Sequence, residues 1–180
     1  ARSALGTMNR AIFRGDLAGI YPNPTLRDAS VTPAQITAIP MAHVSRTTNQ
    51  SIPNGAGAFT ALTFDSERFD TANLHRTDAD SGRLTAPIAG AYLVTANVTW
   101  AADPTPTATT AREVNIRRNG NTLVARVVQL DGAANSVDQS VTQILRLNAG
   151  DFVEVVVRQT SGSARDVVSS GAGGDFSPEF

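Results

Sequence analysis

No cysteine and no lysine occur among the 180 residues of the chain. The first absence excludes disulfide scaffolds, thiolate metal sites and cysteine nucleophiles, and leaves the redox compartment open. The second leaves arginine to carry all 15 basic charges, a pattern read as the coding bias of a GC-rich genome rather than as a set of functional guanidiniums. With 16 acidic residues the net charge is -1, so no broad basic surface points to nucleic acid or an anionic membrane. Long apolar runs are also missing. Nothing approaches the roughly 18 consecutive apolar residues of a spanning helix, and the N-terminus lacks the residue succession of a signal peptide. Neither nucleic-acid binding nor membrane insertion is expected.

Histidine is scarce: His43 and His75 are the only two. Neither is spaced from a nucleophile or base in a way that suggests catalysis, and both read as solvated residues. Asp78-Ala79-Asp80-Ser81-Gly82 is similar to the opening of a calcium loop, but alanine stands at position 89, where such a loop places its bidentate glutamate. A plain turn is the favoured reading, with Asp78, Asp80, Asp131 and Asp138 as weak candidates and no metal assigned. Glu67, Glu113, Glu154 and Glu179 show no pairing that would suit glycoside hydrolysis. The expectation is a non-enzyme with no cofactor.

What is present falls into two regions. Residues 1–40 show no sustained period of 2 or 3.6 and carry Pro22, Pro24, Pro33 and Pro40. Proline removes a backbone donor and extends the residue before it, so Tyr21-Pro22-Asn23-Pro24 predicts a rigid, elongated strap. Thr32-Pro33 matches a helix cap with proline in the first turn, and Ala34 to Ala38 then makes at most one short helix. Residues 41–180 are different in texture: short alternating apolar runs between Gly, Asn, Asp and Pro clusters, the pattern of a β-sandwich or barrel.

The clearest strand covers 91–100, with Tyr92, Val94, Ala96, Val98 and Trp100 on one face and Leu93, Thr95, Asn97 and Thr99 on the other. Trp100 reads as core or rim packing rather than a sugar platform. Glu113 to Arg118 meets Asn119-Gly120, the dipeptide that best supplies the positive φ angles of a tight hairpin, and Leu123 to Leu130 returns. Arg117-Arg118 beside that turn reads as a solvated edge. Ser140 to Leu147 turns through Asn148 to Asp151 into Phe152 to Arg158. Phe152 and Val156 make the second face of that last strand partly apolar, which suggests cover by another subunit. Phe176 to Phe180 reads as the opening of a final strand, and the chain as a portion of something longer.

Leu84, then Gly90-Ala-Tyr92-Leu-Val94-Thr-Ala96, resembles the signature of the C1q globular head: a large hydrophobe, five residues, then Gly-x-Tyr-x-hydrophobe. Leucine stands at Leu84 where that family usually has phenylalanine, and Val94 and Ala96 are smaller than its usual aromatics. The resemblance implies an all-β jelly-roll sandwich of about ten strands, related to tumour necrosis factor and assembled as a homotrimer. Gly90, Tyr92, Val94, Trp100, Phe152 and Val156 are then the residues expected in the trimer interface or the core.

The stem carries a second resemblance. Gly15-Asp16-Leu17-Ala-Gly19-Ile-Tyr21-Pro22-Asn-Pro24-Thr-Leu26 looks like a segment frequent in phage tail fibres. Gly15, Asp16, Leu17, Gly19, Tyr21, Pro22, Pro24 and Leu26 form this attachment motif. It implies a virion protein, a tail fibre or minor tail protein, extracellular when acting. The stem would join other virion or fibre proteins, and the trimeric head would touch a host cell-surface glycan or protein. Receptor contacts are expected from the loops 101–110, 131–138 and 161–174, with no single residue selected. The rival reading keeps the fold as a structural connector, cap or decoration with no receptor.

Overall fold

The computed structural model describes residues 39–55, 57–107, 109–130, 135–169 and 179–180, together with the backbone of 17–20 and 23–26. The chain divides into two units, Ala1–Ile39 and Pro40–Phe180. In the first, strand β1 (Leu17–Ile20) pairs antiparallel with β2 (Asn23–Leu26), with Leu17 opposite Leu26, Gly19 opposite Pro24 and Ile20 opposite Asn23. This corrects the expected elongated strap, since Asn23 and Pro24 belong to the return strand of a hairpin. In a two-stranded ribbon every strand is an edge, so a proline whose nitrogen points away from its partner costs no ladder bond. Motif positions 15, 16, 21 and 22 and the short helix expected at 34–38 lie outside the described residues.

The second unit is all-β among the described residues. Its strands are β3 (Ala42–Ser45), β4 (Gln50–Ile52), β5 (Thr60–Ala61), β6 (Ser66–Asp70), β7 (Arg83–Thr85), β8 (Gly90–Trp100), β9 (Ala111–Arg118), β10 (Thr122–Leu130), β11 (Val137–Leu147), β12 (Phe152–Gln159) and β13 (Arg165–Val167). Sheet I has the order β10-β9-β12, with β5 and β7 sharing the other edge of β12. Sheet II runs β11-β8-β13-β4. From β8 onward the chain passes to sheet I, makes one hairpin there, and then alternates between sheets at each connection. All strand pairs are antiparallel, and this crossing pattern is that of a jelly roll.

Alternation in the sequence explains the two-layer packing. On β8, Val94, Ala96, Val98 and Trp100 are buried while Leu93, Thr95 and Asn97 face outward. Val141, Leu145 and Leu147 of β11, Val114 and Ile116 of β9, and Val153, Val155 and Val157 of β12 complete the interior. Each fully buried Val or Leu contributes about 1.5–3 kcal/mol, so this cluster holds the layers together without a staple.

The final strand is present as residues 179 and 180, inserted between β3 and β8. Glu179 and Asn97 exchange backbone hydrogen bonds at 3.1 Å each way, and Phe180 and Val44 do so at 2.9 Å. Phe180 is buried, its ring 5.7 Å from that of Phe64. Positions 170–178 lie outside the described residues.

Candidate functional site

On the outer face of sheet II two large apolar side chains are left exposed by the chain. Leu93 of β8 stands directly opposite Ile144 of β11, and the two are 71% and 69% exposed. Along the same face the pairs become polar and tie to each other: the Thr95 and Thr142 hydroxyls lie 2.9 Å apart, and Ser140 Oγ donates to Asn97 Oδ1 at 2.6 Å. Further across, the Glu179 carboxylate meets His43 Nε2 at 3.4 Å and Arg68 Nη2 at 3.2 Å. Phe69, opposite His43 in register and half exposed, sets its ring edge-on to the imidazole at 5.8 Å. The face is therefore apolar at one end, with Leu93 and Ile144, and charged at the other, with Glu179, His43 and Arg68.

The outer face of sheet I has the opposite character. Register places Glu154 beside Arg117, Val156 beside Asn115, and Arg158 beside Glu113. The Glu154 carboxylate accepts from Arg83 Nε at 3.0 Å and Arg117 Nη2 at 2.9 Å. Glu113 accepts from Arg126 Nε at 2.8 Å and from Arg158. Two of these guanidiniums also lie over aromatic rings, Arg83 at 4.2 Å from the centre of Phe152 and Arg158 at 4.9 Å from that of Phe59. Each buried carboxylate is thus held between two arginines, and between the two clusters Asn115 and Val156 are fully buried. On the second face of β12, Val156 is buried within the chain and Phe152 is half-buried.

The residues singled out by the first resemblance separate accordingly. Val94, Trp100 and Val156 are interior in the single chain, Tyr92 and Phe152 are half-buried, and Gly90 is exposed. The Tyr92 hydroxyl donates to Ile88 O at 2.8 Å. Trp100 is fully enclosed, which removes it as a platform for a sugar.

Several polar residues are anchored where the sequence suggested solvation. His75 is buried, with Nδ1 at 2.8 Å from Glu67 Oε1 and Nε2 at 3.0 Å from Ser81 O. Both ring nitrogens are thus within hydrogen-bond distance of an oxygen. The expected solvated histidine is instead a brace between β6 and the turn before β7. Arg117 likewise belongs to the Glu154 cluster rather than to a free edge. In the 101–110 connection, Asp103 is fully buried, bound to Arg165 Nη2 at 2.5 Å and to the Thr105 N–H at 3.0 Å.

Carboxylates of the suspected calcium turn are committed elsewhere, Asp78 to Arg76 at 3.0 Å and Asp80 to Arg83 at 3.0 Å. Among the described residues no three metal-capable side chains converge, and Asp131 lies outside them. Three aspartates are tuned, and the Arg76 hydrogen bond and charge hold the Asp78 carboxyl below the usual range. Burial would raise the Asp70 carboxyl, but the backbone N–H groups of His75, Leu74, Ala72 and Asn73 outweigh it and hold it below the usual range. Asp151 is lowered by the Asn148 backbone N–H and then by the Asn119 carboxamide.

No family model matches the chain, and no curated protein matches it. Among solved structures, the globular domain of zebrafish complement 1qA protein is similar at 16% identity and a TM-score of 0.46, over 78% of this chain and 95% of that one. What stands on the chain's own strand order is the fold: an all-β jelly-roll sandwich whose two outer faces differ in chemistry.

Proposed function

We propose that the protein is an adhesive tip of a fibre, a phage tail fibre or minor tail protein, that assembles as a homotrimer through the outer face of sheet II. The observation that carries this reading is the Leu93–Ile144 pair, two large side chains opposed in register and left in solvent by a single chain. A second copy of the chain removes that apolar area from water at about 25 cal/mol per Å². The stem motif, shared in its Gly, Tyr and Pro positions with tail-fibre segments, supplies the attachment to other virion proteins. Three identical heads on one rigid tip multiply weak contacts with a repetitive host glycan or surface protein.

The test is the absolute mass of the full chain by light scattering, beside the variant carrying L93R and I144R. Three chain masses for the first and one for the second support the reading. A single chain mass for both sinks it. The second reading, a connector without a receptor, is favoured by the anchoring of the 101–110 connection through Asp103 and Arg165. A wild-type trimer that fails to adhere to host cells would select it.

A further inference from the structure

Two Asn-Gly dipeptides occur in the chain, at 54–55 and at 119–120. This pair of residues is chemically fragile, because the glycine nitrogen, unshielded by a side chain, can attack the carboxamide carbon of the asparagine before it. The fold restrains the two sites by different means. At the first, the nucleophile is engaged: Gly55 N donates to Gln159 O at 3.1 Å, and Asn54 Oδ1 accepts from Gly162 N at 2.9 Å. At the second, the carboxamide is held at both ends. Asn119 Nδ2 donates to Asp151 Oδ1 at 2.8 Å, and Asn119 Oδ1 accepts from Phe152 N at 2.9 Å.

Asp151 lies in the neighbouring turn between β11 and β12, where its other oxygen accepts from Asn148 N at 2.9 Å. Asn119 has φ 50° and Gly120 φ 74°, the left-handed geometry of a tight hairpin turn, and both are exposed to water. Cyclisation requires the Asn119 side chain to rotate until its Cγ meets Gly120 N, and both hydrogen bonds oppose that rotation.

We propose that Asn119 is a latent deamidation site, kept as asparagine by the Asp151 carboxylate reaching across from the adjacent turn. In the reaction the Gly120 N–Cγ bond forms, the Cγ–Nδ2 bond breaks, and ammonia leaves with the proton from Gly120 N. Water then opens the resulting succinimide at either carbonyl, giving aspartate or isoaspartate. Isoaspartate places Cβ in the main chain inside the three-residue connection 119–121, so it displaces the pairing of Thr122 with Arg118 and Leu123 with Arg117.

The experiment incubates the full chain and its D151A variant at mildly alkaline pH and quantifies aspartate and isoaspartate at both dipeptides by peptide mapping. Conversion at Asn119 should accelerate roughly tenfold or more in D151A, the rate equivalent of one charge-assisted hydrogen bond, while Asn54 serves as the internal control and stays unchanged. Equal rates at Asn119 in both proteins overturn the proposal, as does parallel acceleration at Asn54, which would report general loosening. Should D151A not fold, the wild type in and out of urea decides. Slower conversion at Asn119 in the native state supports the restraint, and equal conversion removes it.

Discussion

The indole Nε1 of Trp100 donates to Gln139 Oε1 at 2.8 Å, and Gln139 Nε2 passes the connection on to Arg112 O at 3.2 Å, so one buried amide joins β8 and β11 to β9 across the sandwich. A buried donor without a partner costs about 1–3 kcal/mol, whereas the same group satisfied costs nothing net. Gln139→Met keeps the volume and strands the indole N–H. Its unfolding midpoint in denaturant should fall by that amount with the slope unchanged. An unchanged midpoint would mean that the indole finds another acceptor.

Acid should weaken the fold through two turn carboxylates. Asp70 and Asp151 both lie lowered in the folded chain, so the unfolded state binds protons first as pH falls. Their contribution is fully present above the unfolded value of about 3.9 and disappears as pH drops through the folded values. Thermal unfolding measured from pH 6 downward should therefore decline below about pH 4, and Asp70→Asn should flatten the profile.

Gly82 is fixed by space rather than by its backbone angle. A Cβ built there lies 2.4 Å from the backbone oxygen of Leu62, a group that cannot swing aside. Gly82→Ala should cost about 1–3 kcal/mol by overpacking, read as a fall in thermal midpoint. Gly57→Ala, with nothing within 4 Å of its Cβ, is the control.

Removing the carboxylate from one arginine cluster should hurt more than removing its arginines singly. Glu154→Leu leaves Arg83 and Arg117 facing each other, and the cost should be about 1–3 kcal/mol, reduced from that of a fully buried pair because both guanidiniums reach solvent. Arg83→Met alone should cost less, since Arg117 still serves the carboxylate. A double-mutant cycle on Glu154 and Arg117 checks the coupling.

What the sequence revealed was what periodicity encodes. The burial alternation of β8 from Tyr92 to Trp100 and the Asn119-Gly120 hairpin were legible because side chains of a strand alternate and because only a few residues accept positive φ. The second face of β12 was legible only in part. Its apolar Phe152 and Val156 stood out, but that the Arg83 guanidinium lies over the Phe152 ring was not visible locally. Which arginine meets which glutamate depends on strand order, and no local pattern holds it. His75 escaped for the same reason, since its partners Glu67 and Ser81 become neighbours only when β6 and the following turn close on it. Leu93 was read on the face of its strand opposite Val94, but its opposition to Ile144 needed the register.

The wedge formed by Glu179 and Phe180 also sets a clock for synthesis. β3 has its backbone partners in β6 and in these two residues, and they in turn join it to β8. A ribosome delivers Val44 almost a whole domain before it delivers Phe180, so throughout that interval the nascent sheet has a slot with one row of unpaired amides and carbonyls open. Pairing of such high sequence separation is slow. The nascent protein must therefore remain unfinished, with a strand edge open to any passing chain, until position 180 has left the exit tunnel.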